Sequence, residues 1–557
     1  MSFPGLIRSI LAAAILSVSA VSATAASTQP APDLAPVSSS RLGALDLWSS
    51  PGRETGLGSD LWRGSSAPLV AHVLEGVGSR PISPAIAAMA RRVLATGAAA
   101  PDGGGADPEL AALRARALIA LGDPAAAFST LSRAPRVEAS EPLSRAKAEA
   151  ALFTGQDASA CDTAQALEQN RDGSFWRKLR VFCATLGGRS GAAQVALDLW
   201  RQAGGKDQAF DRLAGAAASG AGDKVGASLA DPVDLALSRR FGLDPGPQLE
   251  TATPAAIAAV VQSSGFSPTA RAQAVAAGLR QGLVSGDQAR TLYAPAVAPT
   301  GDPEAQIAEL AKGQGEGGGA AADAQLFRIA TRGADPMARD QAAMALLGRG
   351  RYAGGFKAMA ELLAPALPEI ARTGAPLSDP IRFAAAAAAA GDTATADLVR
   401  GRIDQEKTPG ANPRSLALLD ALIAAGSGRA AGPVLDRLAE QAAGADTALK
   451  ASSGDAALML MALGQPLTPA ARAEIAELRA AQPLSPPARL LLMARDGADR
   501  IKGETAMLAL AVGEDQPIGP SQADRARIVA ALGAAGLHED ARAIAVESLL
   551  VLFLARP

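Results

Sequence analysis

Histidine, a frequent metal ligand and general acid or base, is scarce in this chain. Histidine occurs only twice in 557 residues, at His72 and His538, so the sequence excludes a His-rich metal site and a two-histidine zinc motif. The Gly-x-Ser-x-Gly turn that presents a catalytic serine in many hydrolases does not occur. We therefore expect no metal, no cofactor and no enzymatic activity.

Two short motifs match binding or catalytic signatures but lack the context that the chemistry needs. Gly313–Gly318 fits the glycine pattern of dinucleotide-binding loops, yet a helical pattern precedes it where that fold requires a strand. Ser144 and Lys147 fit the Ser-x-x-Lys pattern of penicillin-binding enzymes, but the companion motifs are missing. The first motif predicts a flexible joint, and the second predicts the first turn of a helix that begins near Pro142.

The amino-terminal residues predict export from the cytoplasm. Arg8 supplies a positive charge, residues 10–21 form an apolar run, and Ala23-Thr24-Ala25 offers a small-residue cleavage site. The apolar run is shorter than the about 20 residues that a membrane-spanning helix needs. We expect residues 1–25 to be a signal peptide, and the mature chain to be a periplasmic protein without a transmembrane segment.

The charge balance gives no sign of a polyanionic partner. The chain has 53 basic and 55 acidic side chains, and loss of Arg8 with the signal peptide leaves a net charge of −3. Binding to nucleic acid or to an anionic membrane surface normally requires clustered positive charge. We therefore expect no nucleic-acid partner.

Beyond residue 66 the sequence predicts an all-α fold. Alanine and leucine recur at helical spacing, and few windows alternate between apolar and polar residues as strands do. Helix starts are marked by a side chain that can accept hydrogen bonds from the backbone, followed by proline with its pre-set φ. Such pairs occur at Asp107-Pro108, Asp231-Pro232, Ser267-Pro268, Asp302-Pro303 and Thr468-Pro469.

A repeat is visible within this helical region. Gly122, Gly155 and Gly188 lie 33 residues apart, apolar residues follow each of them at offsets of 5, 9 and 12, and the same offsets recur after Gly426. A glycine that ends one helix, followed by an apolar stripe on the next, is typical of a helix–turn–helix repeat. The residues at these offsets are Ala127, Leu131 and Ala134; Ala160, Ala164 and Leu167; Ala193, Leu197 and Trp200; and Ala431, Leu435 and Leu438.

These positions resemble the tetratricopeptide (TPR) family, whose helical hairpins repeat every 34 residues. The likeness is clearest over residues 110–205, although the large aromatic residues of the family's first helix are mostly missing. It implies an α-solenoid of TPR-like hairpins, as found in the bacterial periplasm. The Gly-rich joint at 313–319 would separate an amino-terminal solenoid (67–312) from a carboxyl-terminal one (320–557), giving two superhelical halves.

The two cysteines fit one of the predicted hairpins. Cys161 and Cys183 are equidistant from Asp172, at the centre of a predicted turn, and residues equidistant from the turn of an antiparallel helix pair lie side by side. In an oxidising compartment such cysteines form a disulfide. Closing a loop of about 22 residues would stabilise the fold by roughly 3 kcal/mol in the chain-entropy treatment. Two buried free thiols are the alternative.

Two of the four tryptophans lie in residues 26–66, a segment rich in Gly, Ser and Pro. The tripeptide Asp-Leu-Trp occurs twice there, ending at Trp48 and Trp62. Disordered linkers normally lack such large apolar side chains. We expect an extended segment whose tryptophans either dock in grooves of the chain's own helices or serve as anchors for another protein. Docking on the chain itself is slightly favoured.

The carboxyl-terminal helix ends in an apolar run, Leu549 to Leu554. A terminal solenoid repeat normally carries a polar outer face, whereas six consecutive apolar residues surround a helix on every side. The run is too short to cross a membrane. Leu550 and Phe553 are therefore candidate anchors. They would be covered by a fold-back onto the preceding repeats, by a second copy of the chain, or by a partner.

Just before this run, Glu547-Ser548 resembles the catalytic Glu-Ser pair of lytic transglycosylases, some of which carry a periplasmic α-superhelix. Those enzymes build a lysozyme-like domain around the glutamate, and only nine residues follow Ser548 here. The resemblance therefore extends to the superhelix alone.

Export, helical hairpins and the lack of a catalytic constellation together favour a binding role. The leading hypothesis is a protein-binding scaffold or assembly factor for a cell-envelope complex such as a flagellar motor, a secretion system or a cell-wall machine, with envelope proteins as partners. The alternative is a peptidoglycan-binding or peptidoglycan-processing accessory protein. Only 3% of the residues are aromatic, and this scarcity of rings that stack on sugars counts against the alternative.

Overall fold

The computed structural model describes residues 47–80, 82–219, 225–294, 302–312, 319–350, 352–406, 411–429, 432–443, 447–465, 487–514 and 520–555. Across these ranges the chain contains 27 α-helices and no β-strand, which confirms the all-α prediction. All of the described residues belong to one compact unit. Within the described ranges, no helix is both long enough and apolar enough to span a bilayer.

The helices of the described residues are numbered here in chain order. The first ten are α1 (Ala67–Gly76), α2 (Pro84–Ala95), α3 (Pro108–Ala120), α4 (Pro124–Ser132), α5 (Glu141–Phe153), α6 (Asp157–Ala166), α7 (Ser174–Leu186), α8 (Ser190–Gln202), α9 (Gln208–Ser219) and α10 (Pro232–Arg240). The next nine are α11 (Pro254–Gln262), α12 (Pro268–Gln281), α13 (Gly286–Tyr293), α14 (Pro303–Lys312), α15 (Ala320–Arg332), α16 (Pro336–Arg349), α17 (Ala353–Leu363), α18 (Leu367–Arg372) and α19 (Pro380–Ala389). The last eight are α20 (Thr393–Glu406), α21 (Pro413–Ser427), α22 (Gly432–Ala443), α23 (Thr447–Ala462), α24 (Pro487–Ala498), α25 (Lys502–Glu514), α26 (Gln522–Ala534) and α27 (His538–Leu554).

Many helices begin where a capping residue precedes proline. Asp107, Asp231 and Ser267 each accept hydrogen bonds from backbone N–H groups in the first turn of the following helix, α3, α10 and α12. Proline fits there because a helix has no intrahelical partner for the first N–H groups. Asp302 caps α14 in the same way, whereas Thr468 lies outside the described residues.

The glycines of the predicted repeat lie in turns between paired helices. Gly122, Gly155 and Gly188 have φ values of +85°, +75° and +68°, a left-handed conformation that favours glycine. The pairs that they join, α3 with α4, α5 with α6 and α7 with α8, pack against each other. The fourth predicted position is wrong by two residues: Gly426 lies inside α21, and Gly428, with φ of +64°, ends that helix.

The predicted cysteine pair lies across the turn between α6 and α7. The sulfur atoms of Cys161 and Cys183 are 1.99 Å apart and their Cα atoms 5.7 Å apart, so the two residues are placed as a disulfide. The sequence separation of 22 residues corresponds to a stabilisation of roughly 3 kcal/mol from loop closure.

Helices α5–α10 contribute to a second, smaller hydrophobic core, and α5 and α10 also contribute residues to the larger core of the chain. Trp176, Phe182, Trp200 and Phe210 are buried in the smaller core. Helix α10 packs against both α5 and α9, so the last of these six helices returns to the first. We call residues 141–240 the disulfide lobe.

The two ends of the described chain meet. Helices α1 and α2 pack against α25, and α2 also packs against α27. Arg92 of α2 forms an ion pair with Asp540 of α27. The amino-terminal helices are therefore covered by carboxyl-terminal ones. Of the predicted joint at 313–319, only Gly319 belongs to the described residues, and the division into two halves stays a prediction.

The last helix lies inside the protein. Helix α27 packs against α2, α17, α21, α23 and α26. Leu549 and Leu550 have no exposed surface, Phe553 is partly buried, and Val551 is 38% exposed. A helix that is apolar on all sides is expected to be buried in this way. Fold-back onto the chain's own helices is thus the arrangement in the structure, and self-association through α27 stays a prediction.

Candidate functional site

The two tryptophans of the amino-terminal segment lie inside the protein. Trp48 and Trp62 have no exposed surface, and their rings meet edge to face with centroids 5.1 Å apart. The backbone at Gly503, near the start of α25, approaches so closely that an added Cβ would lie 2.4 Å from the Trp62 ring. Both tryptophans therefore dock on the chain's own helices, the first of the two alternatives, and neither is presented to a partner.

Arg114 of α3 holds this segment in place. Its side chain is 1% exposed, and its guanidinium lies 4.9 Å from the centre of the Trp48 ring. Three of its nitrogen atoms donate hydrogen bonds to backbone carbonyls, at 2.9 Å to Trp48, 2.7 Å to Leu94 and 2.8 Å to Thr96. One buried side chain thus joins the amino-terminal segment to the end of α2.

The other residues that the sequence singles out for chemistry do not come together as a site. The hydroxyl of Ser144 is buried and donates a hydrogen bond to the carbonyl of Val137, at 2.8 Å, so it is not presented as a nucleophile. Lys147 is half-buried on α5. His72 lies exposed on α1, and His538 lies exposed at the start of α27.

Glu547 is buried and acts as a helix cap. Its carboxylate is 3% exposed and accepts hydrogen bonds from the hydroxyl of Ser83 and from the backbone N–H of Ala85, the latter at 2.7 Å, at the start of α2. The guanidinium of Arg525 lies 3.4 Å from the same carboxylate. A negative charge is favourable at a helix N-terminus. These contacts give Glu547 a structural role that connects α27 to α2.

A groove with an apolar floor opens between α1 and α24, next to α25. Its volume is about 600 Å³, within the ~300–1,000 Å³ that ligand-binding pockets usually have. The floor is formed by Val73 and Leu508, which are buried, and by Leu69, Leu492 and Ala511, which are half-buried. We call this cleft the α1–α24 groove.

The rim of the α1–α24 groove carries both signs of charge. Glu75 and Arg80 line the side of α1, and Arg489 and Glu514 line the side of α24 and α25. One nitrogen of the Arg80 guanidinium donates a hydrogen bond to the backbone carbonyl of Glu514, at 3.0 Å, and thereby connects the two sides. An apolar floor with a polar rim is the usual make-up of a protein-binding surface.

Three carboxylates converge in the disulfide lobe. One oxygen atom from each of Asp207, Asp231 and Asp234 lies within 4.8 Å of the others. The ammonium of Lys178, on α7, lies 2.5 Å from the carboxylates of Asp207 and Asp231. The same two aspartates accept backbone hydrogen bonds at the starts of α9 and α10. Lys178 thus connects the first turns of two helices to α7, and this structural role accounts for the cluster.

Asp234 differs from its two neighbours because it does not contact the ammonium group. It has no exposed surface. Its Oδ2 accepts a hydrogen bond from the hydroxyl of Ser228, at 2.8 Å, and its Oδ1 has no hydrogen-bond partner among the described residues. Burial, together with the nearby charge of Asp231, raises the pKa of Asp234 to about 7.

We expect Asp234 to make the protein less stable as the pH rises from about 4 to above 7. The folded state keeps the proton on Asp234 up to about pH 7, whereas the ordinary pKa of this group is 3.8. The stability linked to this proton is therefore fully present below about pH 4 and is lost as the pH rises through about 7. Thermal melts of the wild type and of Asp234→Asn, which keeps an acceptor for Ser228, should diverge in favour of the variant over this range. A difference that does not change with pH would contradict the expectation.

The sequence predicts only part of this cluster. Asp231 is expected to cap a helix, and it does, but its contact with Lys178 joins residues 53 positions apart. The one local signal is that Lys178 lies between Trp176 and Leu179, in a stretch of α7 whose side chains are mostly buried. A lysine in such a stretch needs a buried acidic partner, which local spacing does not identify.

Comparison of the chain with protein families, with curated proteins and with solved structures finds no match.

Proposed function

We propose that this protein is an exported helical-repeat scaffold that binds a partner protein of the cell envelope, either within an envelope complex or during its assembly. The observation that carries the proposal is the α1–α24 groove, with its apolar floor and charged rim. Export is supported by the signal-peptide pattern of residues 1–25. It is also supported by the cysteine pair, because disulfides form in oxidising compartments.

An amphipathic helix of the partner would fit the α1–α24 groove. Two helices form the walls and a third contributes to the floor, so an incoming helix would pack as one more neighbour. Its apolar stripe would cover Val73, Leu492 and Leu508. Because the rim carries Glu75 on one side and Arg489 on the other, we expect acidic and basic residues to flank that stripe, since charge complementarity fixes the orientation of a partner.

We also propose that the hairpins stack in the TPR-like manner and that the stack closes on itself. Helices α3–α9 pack in chain order, and so do α21–α23. The contacts of α1 and α2 with α25 and α27 cover faces that an open solenoid leaves to solvent. The α1–α24 groove lies at this closure, between the first helix and two of the last four, where the stack has room for another helix.

The burial of the tryptophans favours a protein partner over a glycan. All four tryptophans are at most 2% exposed, so none presents its ring for stacking on a sugar. The groove floor consists of aliphatic side chains, which suit the apolar face of a helix better than a polysaccharide.

Site-specific photo-crosslinking in cells of the native host tests this proposal. A photo-reactive residue in place of His72 or Ala488, both exposed at the groove, should capture the same envelope protein from either position. A photo-reactive residue in place of Val195, which is 60% exposed on the disulfide lobe, serves as the matched control and should not capture that protein.

Ala511→Trp provides the second test because it fills the floor of the groove with a larger side chain. It should abolish both groove crosslinks, whereas Val195→Trp should leave them intact. Circular dichroism melts check that both variants remain folded. The proposal fails if the groove positions give no common partner, if Val195 captures the same protein equally well, or if a folded Ala511→Trp variant retains the crosslinks.

A further inference from the structure

A second, smaller cavity lies where the amino-terminal segment meets the turn between α3 and α4. Its volume is about 200 Å³. Helix α2, the end of α11 and the start of α13 enclose it from the other sides. Because Arg53 and Arg91 both line this cavity, we call it the two-arginine pocket. All of its lining residues belong to the described part of the chain.

The two-arginine pocket holds more positive than negative charge. Asp123 is the one carboxylate among its lining residues, and it forms an ion pair with Arg53. The other oxygen of Asp123 accepts a hydrogen bond from the backbone N–H of Ala126, at 3.1 Å, and so caps α4. Arg91 donates a single hydrogen bond among the described residues, to the carbonyl of Leu121 at 2.9 Å. The pocket therefore holds two guanidinium groups and one carboxylate, which is already engaged by Arg53 and by the backbone of α4.

The surroundings of Arg91 disfavour its charge. Burial, and then repulsion by Arg53, lower the pKa of Arg91 to about 10. A guanidinium carries five N–H donors in a plane that matches the oxygens of phosphate or carboxylate. With one donor used for Leu121, Arg91 retains donors for a further acceptor. An anion in the pocket would offset both the burial and the repulsion.

The polar wall of the pocket is suited to an oxyanion. Gln262 and Gln288 line the cavity together with the arginines. The Oε1 of Gln288 already accepts a hydrogen bond from the backbone N–H of Ser285, at 3.2 Å, which leaves its amide nitrogen as a donor. The lining of the cavity thus includes both guanidinium and amide N–H donors. Charge-assisted hydrogen bonds of this kind are about twice as strong as neutral ones.

The size of the pocket limits the ligand to a small group. A volume of about 200 Å³ corresponds to roughly six or seven water molecules at ~30 Å³ each. It is smaller than the ~300 Å³ at which pockets for drug-sized molecules begin. The cavity therefore has room for a phosphate group with a few waters.

We propose that the two-arginine pocket binds a small oxyanion of the phosphate type, held by the guanidinium groups of Arg53 and Arg91 and by the amide of Gln288. Arg53 comes from the amino-terminal segment, Arg91 from α2 and Gln288 from α13, so the bound anion would connect three parts of the chain that are far apart in sequence. Occupation of the pocket would then stabilise the docked position of the amino-terminal segment. This site is separate from the α1–α24 groove and does not depend on the function proposed for it.

Titration of the full mature chain with inorganic phosphate tests the proposal, at constant ionic strength with chloride as the background anion. We expect saturable binding by calorimetry and a melting temperature that rises with phosphate concentration, because a ligand that binds only the folded state stabilises it. Sulfate should bind in the same way, whereas acetate, which is planar and carries one charge, should bind more weakly. If a phosphate monoester binds as well as inorganic phosphate, the bound oxyanion would be the terminal group of a larger molecule and not free phosphate.

Two variants and a matched control connect the binding to the pocket. Arg91→Gln and Arg53→Gln should each weaken phosphate binding by at least about tenfold, since each removes a charge-assisted contact. Arg63→Gln, at an exposed position of the same segment, should bind like the wild type. If Arg91→Gln does not fold, the test of the proposal rests on Arg53→Gln alone. We expect that variant to fold because the Arg53 side chain is 43% exposed. Absence of saturable phosphate binding, or equal binding by Arg53→Gln, overturns the proposal.

Discussion

Replacement of Leu550 by aspartate is expected to lower the free energy of unfolding by more than about 4 kcal/mol, or to prevent folding altogether. Leu550 has no exposed surface, and it lies on α27, which packs against α2, α17, α21 and α26. A carboxylate at this position would be buried without a partner. The free energy of unfolding of a whole domain is only about 5–15 kcal/mol, so one such substitution removes a large part of it. Urea unfolding followed by circular dichroism, with the yield of folded protein, measures the effect.

Val551→Asp is the matched control for this prediction. Val551 is the next residue of the same helix and is 38% exposed, so its aspartate can remain hydrated. The control should cost less than about 1 kcal/mol, as surface substitutions usually do. Equal losses for Leu550→Asp and Val551→Asp would show that α27 is not enclosed by the chain's own helices in solution. Its apolar run would then be free to meet a second copy or a partner.

The helices and the cysteine pair could be predicted because their signals are local. Asp107, Asp231 and Ser267 mark helix starts through hydrogen bonds that span only two or three residues, and such bonds depend little on the rest of the fold. Cys161 and Cys183 lie in one hairpin, so the spacing from its turn is enough to place them side by side. Information within about 30 residues determines these features.

The closure between the two ends of the chain could not be predicted, because its contacts join residues that the sequence keeps far apart. Glu547 caps α2 at Ser83, 464 residues earlier, and Arg92 pairs with Asp540, 448 residues later. Local patterns show that Glu547 lies in an apolar helix, and an acid there needs a buried partner. They do not show which helix end supplies it, since that depends on how every intervening hairpin packs.

The position of the Trp-rich segment is a second feature that local sequence patterns do not determine, here over a shorter range of the chain. Both alternatives left open by the sequence, docking on the chain and docking on a partner, bury Trp48 and Trp62, so composition cannot separate them. Arg114 is one of the residues that hold the segment on the chain. In the sequence it looks no different from Arg116, two positions later, yet Arg114 is 1% exposed and Arg116 is exposed. The two arginines lie on different faces of α3. Which face meets the neighbouring helices is known only from the fold.

Arg114→Met is expected to lower the free energy of unfolding by at least about 3 kcal/mol and to release the amino-terminal segment. Methionine keeps much of the apolar volume but donates no hydrogen bond. The carbonyls of Leu94 and Thr96 would lose the donor that Arg114 supplies, and the carbonyl of Trp48 would keep only the backbone N–H of Ala98. An unsatisfied buried polar group costs about 1–3 kcal/mol. Thermal melts measure the loss of stability. A red shift of tryptophan fluorescence and faster tryptic cleavage after Arg53 or Arg63 report release of the segment.

Two further variants separate the geometry of Arg114 from its charge. Arg116→Met, on the exposed face of the same helix, should change neither stability nor cleavage. Arg114→Lys keeps the positive charge but offers a compact ammonium in place of the planar guanidinium that reaches three carbonyls at once. It should therefore recover only part of the loss. If Arg114→Met leaves tryptic cleavage and tryptophan fluorescence unchanged, the hydrogen bonds of Arg114 are not what holds the segment. Other contacts of the segment, such as the packing of Trp62 against the backbone at Gly503 and the ion pair of Asp60 with Lys502, would then hold it in place.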